Sequence, residues 1–268
     1  MMKTIFITGA SSGLGKEAAK LFQQRGWQVI ATMRNPENES ELDKIDNIII
    51  RKLDVSDSKN IETTIAEILK THEVDVVLNN AGYGLVGALE ACSDEQIARQ
   101  IDTNLLGTIR VTKAFTPYFR QKNSGIFLNV TSMLGFFGYP TCSVYAATKF
   151  AVEGFSESLA YELAQFGISV KTIAPGGIQT DFAGRSLDGV QHEAYSKLEA
   201  KVAEGYSEEN IGNFAKVATV ANAIFEAATD GKTQFRYVVG TDAKTLYDER
   251  SENGMQSQFD RIREMFTV

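Results

Sequence analysis

The chain of 268 residues carries 43% hydrophobic and 23% charged residues, which excludes a disordered, collagenous or coiled-coil protein. Its net charge of −7, with no long block of like charge, excludes a general nucleic-acid binder, whose phosphate contacts need clustered Lys and Arg. Cys92, Cys142, His72 and His192 are too few and too scattered for a disulfide framework or a metal site, so none is expected, and both thiols read as small buried groups.

Short Val/Ile-rich runs at 3–8, 27–32, 48–53, 74–79, 125–130, 169–174 and 236–239 read as strands. They lack period-two alternation, as expected of strands buried on both faces of a parallel sheet. Between them, 13–25, 58–71, 94–119, 144–165 and 216–229 read as helices. The alternation predicts an α/β fold: a doubly wound parallel sheet of about seven strands with helices on both faces, in a single domain over 1–268. Pro117 reads as a helix start and Pro175 as a strand exit. The segment 176–213 is too long for a routine connection and reads as a substrate loop or lid. From about 241 a helical extension follows, with no legible role. The N-terminus has no signal-peptide pattern, and the uncharged stretch 123–148 is too interrupted by polar residues to span a membrane. A cytoplasmic protein with no membrane partner is expected.

The first strand runs into Thr8-Gly9-Ala10-Ser11-Ser12-Gly13-Leu14-Gly15 and then a helix. Gly9 permits a tight strand exit, while Gly13 and Gly15 allow close backbone approach in a G-x-G-x-x-A form that suits a dinucleotide. The helix start offers free N–H groups and a positive dipole end to a pyrophosphate, with Ser11 and Ser12 as further donors. Sites that prefer NAD place an acid at the end of the second strand to hold the ribose 2′-hydroxyl. Here that position reads Met33-Arg34-Asn35, and the Arg34 guanidinium suits a 2′-phosphate. NADP(H) is therefore expected over NAD(H).

Tyr145 and Lys149 share one face of a predicted helix, with Ser132 at the carboxyl end of the strand before it. Tyr118 and Lys122 repeat the spacing without an equivalent serine and read as solvated helix surface. With these motifs the chain resembles the short-chain dehydrogenase/reductase family, closely over about the first 180 residues. The resemblance implies a Rossmann-type fold and a catalytic tetrad of Asn104, Ser132, Tyr145 and Lys149. It places Asp54 and Val55 beside the adenine, and Asn80, Ala81 and Gly82 of the Asn79-Asn80-Ala81-Gly82 motif on the adenosine side. It puts Pro175, Gly176, Ile178 and Thr180 at the nicotinamide carboxamide, and it has Tyr145 and Lys149 also contact the cofactor. The stretch 145–154 is most similar to the hydroxysteroid and retinol dehydrogenase branch.

The chemistry implied is hydride transfer between nicotinamide and a carbonyl or secondary alcohol. Tyr145 would exchange the proton, with Ser132 holding the substrate oxygen. Lys149 would bind the nicotinamide ribose, and Asn104 would hold a relay water. An ammonium about 5 Å from the phenol, at an effective dielectric near 20, favours phenolate by about 3 kcal/mol. That is on the order of two pKa units, which would bring Tyr145 towards neutrality. Tyr83, Leu85, Val86, Met133, Leu134, Phe136, Phe137, Tyr139, Pro140 and Phe182 either line a cleft for a hydrophobic small molecule or pack beneath the lid. Ser143 reads as a helix N-cap. Two other readings are an NADP(H)-binding sensor or scaffold without turnover, and a hydrolase, for which Ser132 lacks a histidine in context. The helices following Asn104 and Tyr145 are long, and the latter carries small residues at Ala147, Ala151, Gly154 and Ser158; the family resemblance implies pairing through these two helices into a homodimer or homotetramer.

Overall fold

The computed structural model describes residues 2–179 and 187–267. Seven strands form one parallel sheet: β1 (Thr4–Ile7), β2 (Gln28–Met33), β3 (Ile48–Lys52), β4 (Val76–Asn79), β5 (Gly125–Val130), β6 (Ile168–Pro175) and β7 (Arg236–Val239). Their order across the sheet is β7-β6-β5-β4-β1-β2-β3, with every pairing parallel. This is the doubly wound arrangement, in which the order reverses beside β1 and opens a crevice at the carboxyl ends of the strands.

Alternate side chains of each strand enter two different cores. Ile5, Ile7, Val29, Ala31, Val76, Leu78 and Leu128 meet α1 (Gly13–Gln24) and the later helix Val217–Thr229 on one face. Phe6, Ile30, Val77, Phe127 and Val170 meet α2 (Ser58–Leu69), α4 (Gly107–Lys122) and α5 (Ser143–Ala164) on the other. Both faces are apolar because both are covered, which is why the strands show no period-two pattern. The second face is dense in aromatics, with Phe6–Phe115 at 4.8 Å and Phe119–Phe127 at 5.0 Å. Removing one such ring, as in Phe115→Ala, costs about 3–5 kcal/mol.

Several expectations are corrected. The helix expected over 94–119 is α3 (Asp94–Ile101) and α4 joined by one π-helical turn, Asp102–Leu106. Pro117 lies inside α4 and does not start a helix. Ser143 is the first residue of α5; the N-cap is Cys142, and no side chain caps that end. Cys92 is only half-buried, whereas Cys142 is buried. Tyr118 and Lys122 are not solvated surface. The Tyr118 hydroxyl accepts the Val74 N–H at 3.1 Å, and the Lys122 ammonium pairs with Asp75 at 2.8 Å, so both pin α4 to the segment before β4.

The segment after β6 holds more structure than a plain loop. Ile178–Gln179 pairs with Ala215–Lys216, and Leu187–Gly189 pairs with Gly84–Val86 just after β4. Asp188 then accepts from Gln96 at 2.9 Å and pairs with Arg99, both on α3. Two helices follow, Ser196–Glu204 and Glu208–Gly212. The C-terminal segment Thr241–Met265 is two helices broken at Gly254, whose φ of +79° suits glycine. The second half folds back on the first: Gln258 donates to the Leu246 carbonyl at 2.8 Å, and Arg261 pairs with Glu249. Tyr247 meets Phe136 and Phe266 meets Tyr139, so this hairpin seals an aromatic cluster beside the crevice.

Candidate active site

Ser132 stands one residue beyond Thr131 at the end of β5 and is buried. Its Oγ accepts the Leu134 N–H at 3.1 Å and caps the turn Met133–Gly135, leaving its own proton free to donate. Tyr145, on the first turn of α5, is half-buried, and Lys149 follows one turn later. The Lys149 ammonium donates to the Val130 carbonyl at 3.0 Å and lies 5.6 Å from the centre of the Tyr145 ring.

Burial pushes the Tyr145 phenol up to about 12, against a downward pull from Ser132 and with a further upward push from Cys142. The expected approach to neutrality is not what the structure has, because burial dominates the phenol's surroundings. Burial also lowers Lys149 to about 8, opposed by Glu153.

Asn104 sits in the π turn and is buried. Its Oδ1 accepts the Tyr83 N–H at 3.0 Å, and its Nδ2 donates to the Tyr83 carbonyl at 2.8 Å and to Thr148 at 3.4 Å. It thereby ties the chain after β4 to α5, next to Lys149. Gln100, also buried, donates to the same Tyr83 carbonyl at 2.7 Å.

The glycine turn is assembled around Thr8 and Asn80. The Thr8 hydroxyl accepts the N–H groups of Asn80 and Ala81, each at 3.0 Å. Asn80 Nδ2 donates to the carbonyls of Thr8 (3.0 Å) and Gly9 (3.1 Å). A Cβ on Gly15 would fall 2.4 Å from the Gly9 carbonyl oxygen, and one on Gly9, at φ +68°, would fall 2.8 Å from the Ala81 Cα. Gly13, by contrast, faces open space, and the side chain of Ser12, the N-cap of α1, makes no capping bond. First-turn N–H groups of a 12-residue helix therefore face an open cradle, a fit for the pyrophosphate of a dinucleotide.

Leu14 is buried and anchors that helix, while Ser11 is exposed at the rim. Arg34 is exposed at the end of β2, near enough to Asp54 to act on its charge. Burial opposes ionisation of Asp54, but hydrogen bonds from Ser56, with Arg34 and Lys52 nearby, hold its carboxyl below the usual range. Val55 is buried where a Cβ on Gly107 would strike it, so it seats the start of α4. Gly82 lies against Asn104. Pro175 ends β6, Gly176 donates to the Val239 carbonyl at 2.9 Å, and Ile178 belongs to the short strand that follows. Thr180 and Phe182 lie outside the described residues.

Of the apolar residues expected around the cleft, Leu134, Phe136 and Phe137 are buried in the cluster sealed by the C-terminal hairpin, and Leu85 is buried as well. Tyr83, Val86, Met133, Tyr139 and Pro140 stay partly exposed. Sequence reading missed Glu153, Arg236 and Asp242. The Asp242 carboxylate accepts the Gly177 N–H at 2.7 Å and fills the space a Cβ on Gly176 would need, so the C-terminal hairpin clamps the turn after β6. The legible signal for Glu153 was its position one turn beyond Lys149, on the same face.

A family model described as short chain dehydrogenase matches residues 3–190. Retinol dehydrogenase 8 of Bos taurus is 36% identical over 197 residues, covering 70% of this chain and 63% of that protein. A short-chain dehydrogenase from Streptomyces avermitilis superposes with a TM-score of 0.81 at 30% identity, covering 100% of both chains. ElxO with NADP bound superposes with a TM-score of 0.77 at 27% identity, covering 91% of this chain and 100% of that one. The chain belongs to the short-chain dehydrogenase family and is an oxidoreductase of the CH–OH/C=O couple.

Proposed function

We propose that the protein is an NADP(H)-dependent short-chain oxidoreductase that reduces a carbonyl on a hydrophobic small molecule, or oxidises the matching alcohol. The observation that carries this is the convergence of Ser132, Tyr145 and Lys149 at the strand ends that also carry the open glycine cradle. When bound, NADPH supplies a hydride from its nicotinamide ring to the carbonyl carbon. Ser132, through its free hydroxyl hydrogen, donates a hydrogen bond to the substrate oxygen and holds it against Tyr145 without giving up its proton. Tyr145 gives that oxygen a proton as charge develops there; at about 12 it is protonated at any physiological pH and suited to donate. The Lys149 ammonium offsets the phenolate left behind, and Asn104 ties the Tyr83 segment to Thr148, the neighbour of Lys149.

Gly9, Ser11, Ser12, Gly13, Leu14 and Gly15 would hold the pyrophosphate, and Asn80, Ala81, Gly82, Asp54 and Val55 the adenosine half. Pro175, Gly176, Ile178 and Thr180 would hold the carboxamide. The preference for NADP(H) is supported by Arg34 at the end of β2, with no acid beside it. It is also supported by the likeness to ElxO, whose structure has NADP bound. Segment 176–213 is the substrate lid in this reading. Among the described residues no helix is long and apolar enough to cross a membrane, and free thiols at Cys92 and Cys142 suit a reducing, cytoplasmic setting. Association is supported by an apolar groove of about 530 Å³ between α4 and α5, lined by Ile109, Phe155 and Leu159 among others.

The test is a panel of ketones, aldehydes and secondary alcohols assayed with both cofactors by nicotinamide absorbance. NADPH should bind at least about tenfold more tightly than NADH, about 1.4 kcal/mol, and Arg34→Ala should remove most of that gap. Equal affinities in the wild type would overturn the preference. Tight NADPH binding with no turnover across the panel would overturn catalysis in favour of a sensor.

A further inference from the structure

Tyr145, Lys149 and Glu153 repeat at intervals of four along α5 and so line one face of it. The last of the three is a buried carboxylate with donors from three strand positions. Glu153 Oε1 accepts the Thr131 hydroxyl at 2.6 Å; Oε2 accepts the Thr172 hydroxyl at 3.3 Å and the Arg236 guanidinium through Nε (3.0 Å) and Nη2 (2.8 Å). Thr131 immediately precedes Ser132, and Lys149 grips the residue before that through the Val130 carbonyl. Two successive turns of the helix that carries Tyr145 therefore hold two successive residues of the strand that delivers Ser132. The turn after Ser132 rests on the same place: a Cβ on Gly135 would meet Glu153 Cγ at 3.0 Å and the Lys149 carbonyl at 3.2 Å.

We infer that Glu153 is a positioning residue for this site, setting the placement of Ser132 through Thr131 and keeping the Lys149 ammonium charged, with Arg236 moderating that charge. The inference rests on the proposed oxidoreductase reading and adds to it a carboxylate that touches neither substrate nor cofactor. A buried ammonium beside a buried carboxylate keeps its proton to higher pH than one alone, and a guanidinium on that carboxylate works the other way. Lys149 already sits at about 8 through burial, so its charge state near neutrality depends on this balance. Among the described residues the titratable groups around it are these. Tyr145 and Cys142 come from its own helix, Arg236 from β7, and Tyr247, close to Arg236, from the C-terminal hairpin. Tyr206, after the helix Ser196–Glu204, is near Tyr145 as well as Tyr139, Cys142 and Asp242. Among the described residues, the end of β5, β6 and the π turn bring the neutral Thr131, Ser132, Thr172 and Asn104 to this side, while the charged Asp102 of the π turn is paired with Arg110 and Lys171 of β6 with Asp230.

The test titrates Lys149 directly, without cofactor or substrate, in full-length protein carrying ¹³Cε-labelled lysine. The resonance is assigned by its absence in Lys149→Met. Glu153→Gln should lower the titration midpoint by about half a pH unit or more, and Arg236→Gln, whose guanidinium acts from beyond Glu153, should raise it by a clearly smaller amount. A residue that only braced the fold would move both variants the same way or neither, and either result overturns the inference. If a single variant fails to fold, Glu153→Gln/Arg236→Gln leaves no lone charge, and its midpoint should fall between Glu153→Gln and wild type. An unshifted midpoint there also overturns it. With a carbonyl substrate in hand, the alkaline limb of kcat should move in the same two directions. If no carbonyl is turned over, the proposed reaction fails while the lysine titration still reads the inference separately.

Discussion

A phenol raised by burial to about 12 is mostly protonated near neutrality and remains more acidic than the alcohol that forms when it protonates the substrate oxygen. The burial that raises Tyr145 therefore keeps its proton in place for donation to a substrate oxygen. Tyr145→Phe keeps the ring and should lower turnover by at least about 10²-fold with little change in NADPH affinity, measured by steady-state kinetics and cofactor titration. Retention of more than a tenth of wild-type kcat would place the proton donor elsewhere. Lys149 adds a pH signature: depressed to about 8, its ammonium is present below that pH and lost as pH rises through it. Reduction should decline above about pH 8, and Lys149→Arg, which stays charged, should flatten that limb. Tyr118→Phe has the same spacing to a lysine but loses only the bond to the Val74 N–H. It should leave kcat unchanged and cost about 1 kcal/mol of stability.

Among the elements, the far end of β6 is fixed by a polar cluster remote from the chemistry. The buried Lys171 ammonium donates to Asp230 at 2.9 Å and to the Ala227 carbonyl at 2.8 Å, and Tyr237 of β7 donates to Asp230 as well. Burial opposes ionisation of Asp230, but Lys171, Tyr237 and the Lys232 N–H hold it at about 2. Its folded value lies below the unfolded one, near 3.9. The stability it confers is thus complete above about pH 4 and lost as pH falls through 2. Asp230→Asn strands the ammonium and should cost about 3 kcal/mol by urea unfolding at pH 7, while weakening the acid dependence below pH 4.

Such clusters mark where sequence reading stops. The strands, the glycine turn and the Tyr145/Lys149 pair were legible because each is written within a few consecutive residues. Glu153 meets Arg236 across 83 positions, and Asp188 meets Gln96 across 92, so neither contact leaves a local trace. Ser143 and Pro117 misled for the opposite reason: their local preferences point to caps and starts, and the packing of α4 and α5 overrode both.

At the scale of the whole molecule, the outer faces of α4 and α5 stand open. Gly154, where an added Cβ would meet nothing, is exposed on α5 beside a groove that includes Ile109, Phe155 and Leu159. A symmetric pair of copies would cover these faces against each other. Light scattering at micromolar concentration should report a dimer or larger species, and Leu159→Arg should shift it to monomer. A wild-type monomer would remove the proposal.

The π turn at Asp102–Leu106 also makes a prediction about counting. It is one wide turn set between α3 and α4, and Asn104 lies within it. An α-helix advances about 100° per residue, so adding or removing one residue turns everything beyond it by that angle. Deleting Leu105 should let α3 and α4 fuse into a regular helix that remains well formed by circular dichroism. With α4 held in place by its core side chains, the rotation would fall on the preceding segment and swing the Gln100 and Asn104 amides off the Tyr83 backbone that both now hold. The helix would then gain regularity, and the loop after β4 would lose its address. This deletion should abolish turnover while leaving helical content intact, so in this segment helical phase, more than helical strength, is what the irregular turn preserves.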